Sequence, residues 1–357
     1  MLYTYSKSSV TPTWFQDFVS AMVSGVLRAR SEQVPASTWQ AVLPAAHESE
    51  LLGRRGLESR YEDLKKASLT LSPEDARQNL LATASSSFYE DVLSGAVDYR
   101  VSFAATAPFN MALKDLLGFS FKLLREIKNT PGDILSLRDE LYRRAYEAMP
   151  EHVCPFCGLS TFGAPHPDMP REALDHYLSL SVYPLFGSHL PNLVPMCHAC
   201  NSSFKLATDM LIADDGTPRV CVDPHGSQTA KISLANSEPF GNGLLPRWVI
   251  DFDPALDAFE TWDQVFKIRL RYQENALNTN FKGWLDVFAR WVKTSSVDVH
   301  DSNAVSVALS RWAAIIGGFD DRGFIKKPMF EMLASSALRP DDVGTRVTQF
   351  VQTLCAL

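Results

Sequence analysis

The chain has 357 residues, of which 46% are hydrophobic and 21% charged, with a formal net charge of −7 and a pI near 5.6. That length leaves room for two or three domains, and the balance is that of a globular protein with a sizeable core, not of a disordered or fibrous chain. The acidic balance also argues against a grip on nucleic acid through the overall field, because such affinity comes from neutralising phosphates with Lys and Arg.

No run of about eighteen apolar residues occurs, so no membrane-spanning helix is expected. The stretch from Met1 to Phe15 lacks the basic-then-apolar pattern of a secretory signal. The expectation is a cytoplasmic protein with no membrane partner.

Helical signals dominate the first 145 or so residues. After the start signal Thr11-Pro12, Trp14, Phe15, Phe18, Val19, Met22, Val23, Val26 and Leu27 recur at helical spacing. Ser72-Pro73-Glu74-Asp75 reads as an N-cap, a proline at the first helical position and acids in the first turn. Further periodic segments run near 110–128 and 132–148. These stripes are read as core packing.

The composition changes near Glu151. From there to His225 the chain is rich in Pro and Cys and holds six of the eight histidines. Cys154-Pro155-Phe156-Cys157-Gly158 and Cys197-His198-Ala199-Cys200 are two C-x-x-C pairs, a spacing that points to metal rather than to disulfides in an intracellular protein. Four thiolates make a closed, tetrahedral, structural zinc site with no open position for zinc hydrolysis. Such a site contributes roughly 10–16 kcal/mol of apparent binding energy, as much as a whole domain's net stability. A small, poorly cored module can depend on it. Cys221 and Cys355 lack partners at ligand spacing and are read as plain buried thiols.

Between and after the pairs stand Asp175-His176, then Asn192-Leu193-Val194-Pro195, then Asn201 and Lys205. Over about 151–210 this arrangement resembles the HNH, or ββα-metal, endonuclease family, in the subgroup stapled by a C-x-x-C…C-x-x-C zinc. The chain departs from that pattern at Ser179 and Leu180, where related sequences carry Pro and Lys. The resemblance implies that His176 is the general base, that Asp175 and Asn201 hold a catalytic metal ion, and that Asn192 fixes the loop that orients the base. Lys205 is either a phosphate contact or a solvated lysine. A histidine suits the base role because its unperturbed pKa is near 6.5. The residues agree with this expectation. Segments 172–177 and 192–196 can pair as strands, 199–211 reads as a helix with Asn201 and Lys205 on one face, and oxygen donors suit Mg²⁺ or Mn²⁺. His152, His166, His189, His198 and His225 hold no motif position, and Asp223-Pro224-His225 is a candidate supporting element.

After residue 231, the alternation of Val265-Phe266-Lys267-Ile268-Arg269-Leu270-Arg271-Tyr272 predicts a half-buried strand with Lys267, Arg269 and Arg271 on one basic face. Lys122, Arg125, Lys128, Arg138, Arg143 and Arg144 form a second candidate basic set. Helices are expected near 280–294, 302–316 and 342–355.

The fold expectation is therefore α+β, with a mainly helical region over 1–148, a zinc-stapled ββα-metal module over 149–230 and a mixed, mostly helical region over 231–357. The functional expectation is an HNH endonuclease that hydrolyses DNA phosphodiesters, in bacterial restriction or antiviral defence. A role as the nuclease subunit of a complex is one option within this expectation, and any ATPase partner would then be a separate chain, because no G-x-x-x-x-G-K-[ST] loop is present. The alternative is a non-catalytic zinc-stapled module that binds nucleic acid or protein.

Overall fold

Hydroxyl caps start the long helices of the N-terminal half. In the computed structural model the side chains of Thr13, Ser72, Thr106 and Ser136 accept hydrogen bonds from the backbone N–H groups of Gln16, Asp75, Phe109 and Asp139. Each satisfies an amide that the first helical turn leaves without a partner. The structure describes all residues except 12, 131, 167, 243, 244 and 357, so Pro12 of the predicted start signal lies outside the described residues.

The helices that follow are α1 (Trp14–Glu32), α2 (Trp39–Val42), α3 (Glu48–Leu52), α4 (Arg55–Ser68), α5 (Pro73–Ala84), α6 (Phe88–Leu93), α7 (Tyr99–Ser102), α8 (Ala107–Leu123) and α9 (Leu137–Glu147). The stripe read from the sequence is the buried face of α1, from Phe15 and Phe18 to Val26 and Leu27. That face packs on α5, while α4 packs along α8.

Two strands follow, β1 (Ala173–His176) and β2 (Leu193–Met196). They pair antiparallel, with Asp175 opposite Val194 and His176 opposite Leu193. Pro195 has no N–H to give, and a two-stranded hairpin tolerates it because both strands are edges. The Tyr5 hydroxyl donates to the Pro195 carbonyl, and Arg138 donates to the Leu174 carbonyl at 3.1 Å. The helix expected over 199–211 is shorter and differently wound. It is a π-helix over Ala199–Lys205, closed by a bond from the Leu206 amide to the Asn201 carbonyl at 3.0 Å.

The C-terminal half holds β3 (Lys231–Ser233) paired with β6 (Asp251–Asp253), and β4 (Glu238–Asn242) paired with β5 (Leu245–Arg247). Helices α10 (Asp257–Phe266), α11 (Ile268–Tyr272), α12 (Thr279–Thr294), α13 (Ser302–Ile315), α14 (Gly323–Ala337) and α15 (Asp342–Ala356) complete it. The architecture is thus α+β, largely helical with small antiparallel sheets. Among the described residues no helix is long and apolar enough to cross a membrane.

The strand predicted over Val265–Tyr272 is not one. The segment is the end of α10 and all of α11, divided by Lys267 at φ +53°. Burial does not alternate along it. Leu270 is 58% exposed while Arg271 is buried. Asp263 sets the break, accepting the Lys267 amide through its carbonyl at 2.7 Å and the Arg269 amide through its carboxylate at 2.7 Å. No basic face results, because the Arg269 guanidinium is held by Glu260 and Asp263 and Arg271 is inside.

Contacts divide the chain into two compact units, one of Met1–Tyr3, Val153–Thr161 and Thr229–Leu357, the other of Thr4–His152 and Phe162–Gln228. This differs from boundaries drawn at 149 and 231 by composition, since the N-terminal helices and the β1–β2 hairpin cluster together. In the first unit the loop 153–161 sits against the C-terminal helices. The Trp262 indole donates to the Phe156 carbonyl at 2.8 Å, and the Phe156 and Phe266 rings lie 5.1 Å apart.

Candidate active site and metal centre

In the first C-x-x-C pair, the Cys157 and Gly158 amides both donate to the Cys154 carbonyl, at 3.1 and 2.7 Å. Gly158 takes φ +65°, a left-handed conformation that glycine reaches without steric cost. The loop is closed by the Val153–Thr161 bridge. The Leu159 amide points at the Cys157 sulfur and the Cys200 amide at the Cys197 sulfur, each at 3.5 Å. The sulfurs of Cys154, Cys157, Cys197 and Cys200 are buried and all lie within 4.8 Å of one another. Tetrahedral zinc with bonds of about 2.3 Å to sulfur separates its thiolates by roughly 3.8 Å. The cluster fits such an ion, and these four cysteines could bind a metal such as zinc.

His176 ends β1. Its Nε2 lies 2.8 Å from the Gly187 carbonyl. A carbonyl only accepts, so Nε2 carries the proton of the neutral ring and Nδ1 keeps the lone pair. Phe121 packs on the ring with centroids 4.4 Å apart, and Arg138 lies behind Phe121, 5.3 Å from its centre. Gly187 has ordinary helical backbone, and the need for glycine there is close packing. A Cβ would sit 3.0 Å from the Leu117 Cβ and from the Pro184 carbonyl, and 2.4 Å from a Leu180 methyl.

Asn192 ties down the loop that carries Gly187. It is 0% exposed. Its Oδ1 accepts from the Leu178 amide at 2.7 Å and the Tyr89 hydroxyl at 3.2 Å. Its Nδ2 donates to the Leu178 and Phe186 carbonyls, both at 3.0 Å. The amide orientation is forced, because an N–H can only give and the two carbonyls can only accept. The Asn192 carbonyl accepts from the Tyr177 amide at 2.7 Å, next to His176 itself.

Asp175 is 32% exposed in its side chain, and its Oδ1 is 3.8 Å from the His176 Nδ1, an ion-pair separation and not a hydrogen bond. Burial pushes its carboxyl up, but the neighbouring imidazole and the Lys205 ammonium outweigh that, leaving it below the usual range. Lys205 is 1% exposed. It is therefore not a solvated lysine; burial lowers its pKa, and the Asp175 charge offsets part of the effect. Asn201 is half-buried in the first turn of the π-helix, four residues before Lys205.

Among the remaining histidines, His189 and His225 are held neutral. Burial pushes both down to about 4, with His225 as the lesser cause at His189 and Lys7 as the lesser lowering cause at His225. Both nitrogens of His225 and the Nε2 of His189 are buried without a hydrogen-bond partner. Asp223, whose carboxyl is raised by burial, accepts the His225 amide at 2.9 Å. Of the site groups, Gly187, Phe121 and Arg138 carry no motif signal in the sequence.

Compared with known proteins, the chain matches no family model, no curated protein and no solved structure.

Proposed function

We propose that the chain is a metal-dependent HNH-type endonuclease. The observation that supports this best is the orientation of His176, whose Nε2 is committed to the Gly187 carbonyl while Nδ1 keeps its lone pair. A neutral imidazole held in one tautomer is suited to take a proton from an attacking water. The imidazolium formed would be stabilised by the Asp175 carboxylate 3.8 Å away and by the Gly187 carbonyl. Asn192, through Leu178 and Phe186, would keep that geometry from drifting. The oxygen donors Asp175 and Asn201 would hold Mg²⁺ or Mn²⁺, a sparse set in keeping with a cation usually bound by one or two carboxylates plus substrate phosphates. When bound, that ion supplies charge neutralisation at the scissile phosphate. The thiolate cluster holds zinc as a structural group. DNA is the expected substrate, in a defence context with a partner ATPase chain.

One observation favours the non-catalytic binding reading. The Lys205 ammonium already lies buried in the field of Asp175, and a divalent ion there would meet a like charge. Cleavage of plasmid and of single-stranded circular DNA with Mg²⁺ or Mn²⁺ separates the two. Wild type should nick DNA, and His176→Ala should lose at least a hundredfold in rate while keeping its zinc and fold. Equal rates in both would remove His176 from the mechanism, and no cleavage by either would favour the binding module.

A further inference from the structure

We infer that the cleft between α4 and α8 is the track by which a single-stranded nucleic acid reaches His176. This rests on the nuclease reading and names its substrate class. The cleft has a volume of about 1010 Å³ and is lined from α4 by Arg60, Asp63 and Lys66, from α8 by Met111, Lys114 and Lys122 among others, and by His176 and Leu180.

Charge is the first ground. Arg60 is paired with Asp115 at 3.0 Å. Among the described residues Lys66, Lys114 and Lys122 make no ion pair, and all three are exposed. With Asp115 of the lining matched by Arg60, three lysines against the remaining carboxylate Asp63 leave a local surplus of positive charge in a chain whose total is −7. Such a surplus is what an acidic protein needs to hold phosphates. Lys114, Gly118 and Lys122 follow at four-residue intervals on one face of α8, so the two ammonium groups rise from points about 12 Å apart along the axis. Leu180 lines the same cleft.

The apolar lining is the second ground. Met111 is 71% exposed, and Phe119 is half-buried with the Arg60 guanidinium 4.3 Å from its ring centre. Flat aromatic and guanidinium faces between lysines suit unpaired bases, which stack on such platforms regardless of sequence. A duplex hides its base faces and would leave these groups unused.

The test is binding of a fluorescently labelled single-stranded oligonucleotide to the full chain, by anisotropy over a salt series without added Mg²⁺ or Mn²⁺. Each lost phosphate contact lowers the slope of log affinity against log salt by about 0.7. The triple variant Lys66→Ala, Lys114→Ala, Lys122→Ala should lower it by about 2, and each single Lys→Gln variant by about 0.7. Exposed lysines elsewhere, Lys231→Ala, Lys282→Ala and Lys293→Ala together, should leave it unchanged. A control triple that lowers the slope as much overturns the cleft assignment, and a duplex of the same sequence that binds as tightly overturns the single-strand assignment. Cleavage by the wild type is scored separately. Lysine-dependent binding without cleavage would sink the nuclease reading and leave the track standing, whereas cleavage with an unmoved slope would sink the track alone.

Discussion

Asn192→Ala is the perturbation the geometry makes most informative. The side chain is fully buried and makes four hydrogen bonds, with the Leu178 amide, the Leu178 and Phe186 carbonyls and the Tyr89 hydroxyl. Each neutral bond contributes about 1 kcal/mol net, and a buried partner left unsatisfied costs about 1–3 kcal/mol. Water entering the vacated space would recover part of this, so we expect a loss of about 3–5 kcal/mol. For a unit of roughly two hundred residues each kcal/mol moves the midpoint by about 2–4 °C, which gives a fall of about 10 °C. Thermal unfolding followed by near-ultraviolet circular dichroism measures it. Amide exchange at Leu178 should accelerate in parallel, because its acceptor is gone. Asn192→Asp should destabilise at least as much at pH 7, since it turns two donors into acceptors facing carbonyls and buries a charge. A midpoint within 3 °C of wild type, with Leu178 still protected, would show that Asn192 is not what holds the loop and that the orientation of His176 has another origin.

Three further outcomes follow from the same geometry. Metal analysis should find about one zinc per chain, and Cys197→Ser or exhaustive chelation should release it with loss of cooperative unfolding, because the apparent binding energy of a structural zinc, about 10–16 kcal/mol, rivals net stability; a metal-free chain with an unchanged midpoint would refute the centre. Gly187→Ala forces a methyl against Leu117 and Pro184 and should cost about 1–3 kcal/mol, shifting the His176 ring resonances in a proton spectrum; unshifted resonances would mean that the loop accommodates the methyl without moving the carbonyl. His225 is buried and neutral, with its pKa pushed down to about 4 by burial first. Below the unfolded value near 6.5 the unfolded chain takes up a proton that the folded chain refuses, so stability present above pH 6.5 is lost as pH falls towards 4, by about 2 kcal/mol between pH 6.5 and 5. Urea unfolding at the two pH values, for wild type and His225→Asn, checks this, and an equal loss in both would assign the effect elsewhere.

The candidate site was legible where local chemistry suffices. Two C-x-x-C pairs announce a thiol cluster whatever surrounds them, and the four sulfurs do converge. Ser72-Pro73 starts a helix because cap and proline act on their own turn. The hairpin could be placed because short apolar runs flanked by Pro and Gly have few alternatives. Elsewhere local pattern misled. The alternation in Val265–Tyr272 suits a strand equally well, and only the Asp263 cap and the packing of Phe266, Ile268 and Tyr272 select two short helices. The helix α14 was not anticipated, since Pro328 inside it reads locally as a break.

Read alone, the residues determined the four-thiol cluster that could bind a metal and the type of most elements, because thiol spacing, capping and amphipathic period are properties of a few neighbouring side chains. Tertiary structure alone decided that the Gly187 carbonyl receives the His176 proton, that Lys205 is buried in the field of Asp175, and that lysines from α4 and α8 share a cleft with His176. Those pairings join residues 11 or more positions apart, and no local preference encodes them. They are set by which surfaces the core brings together when it excludes water.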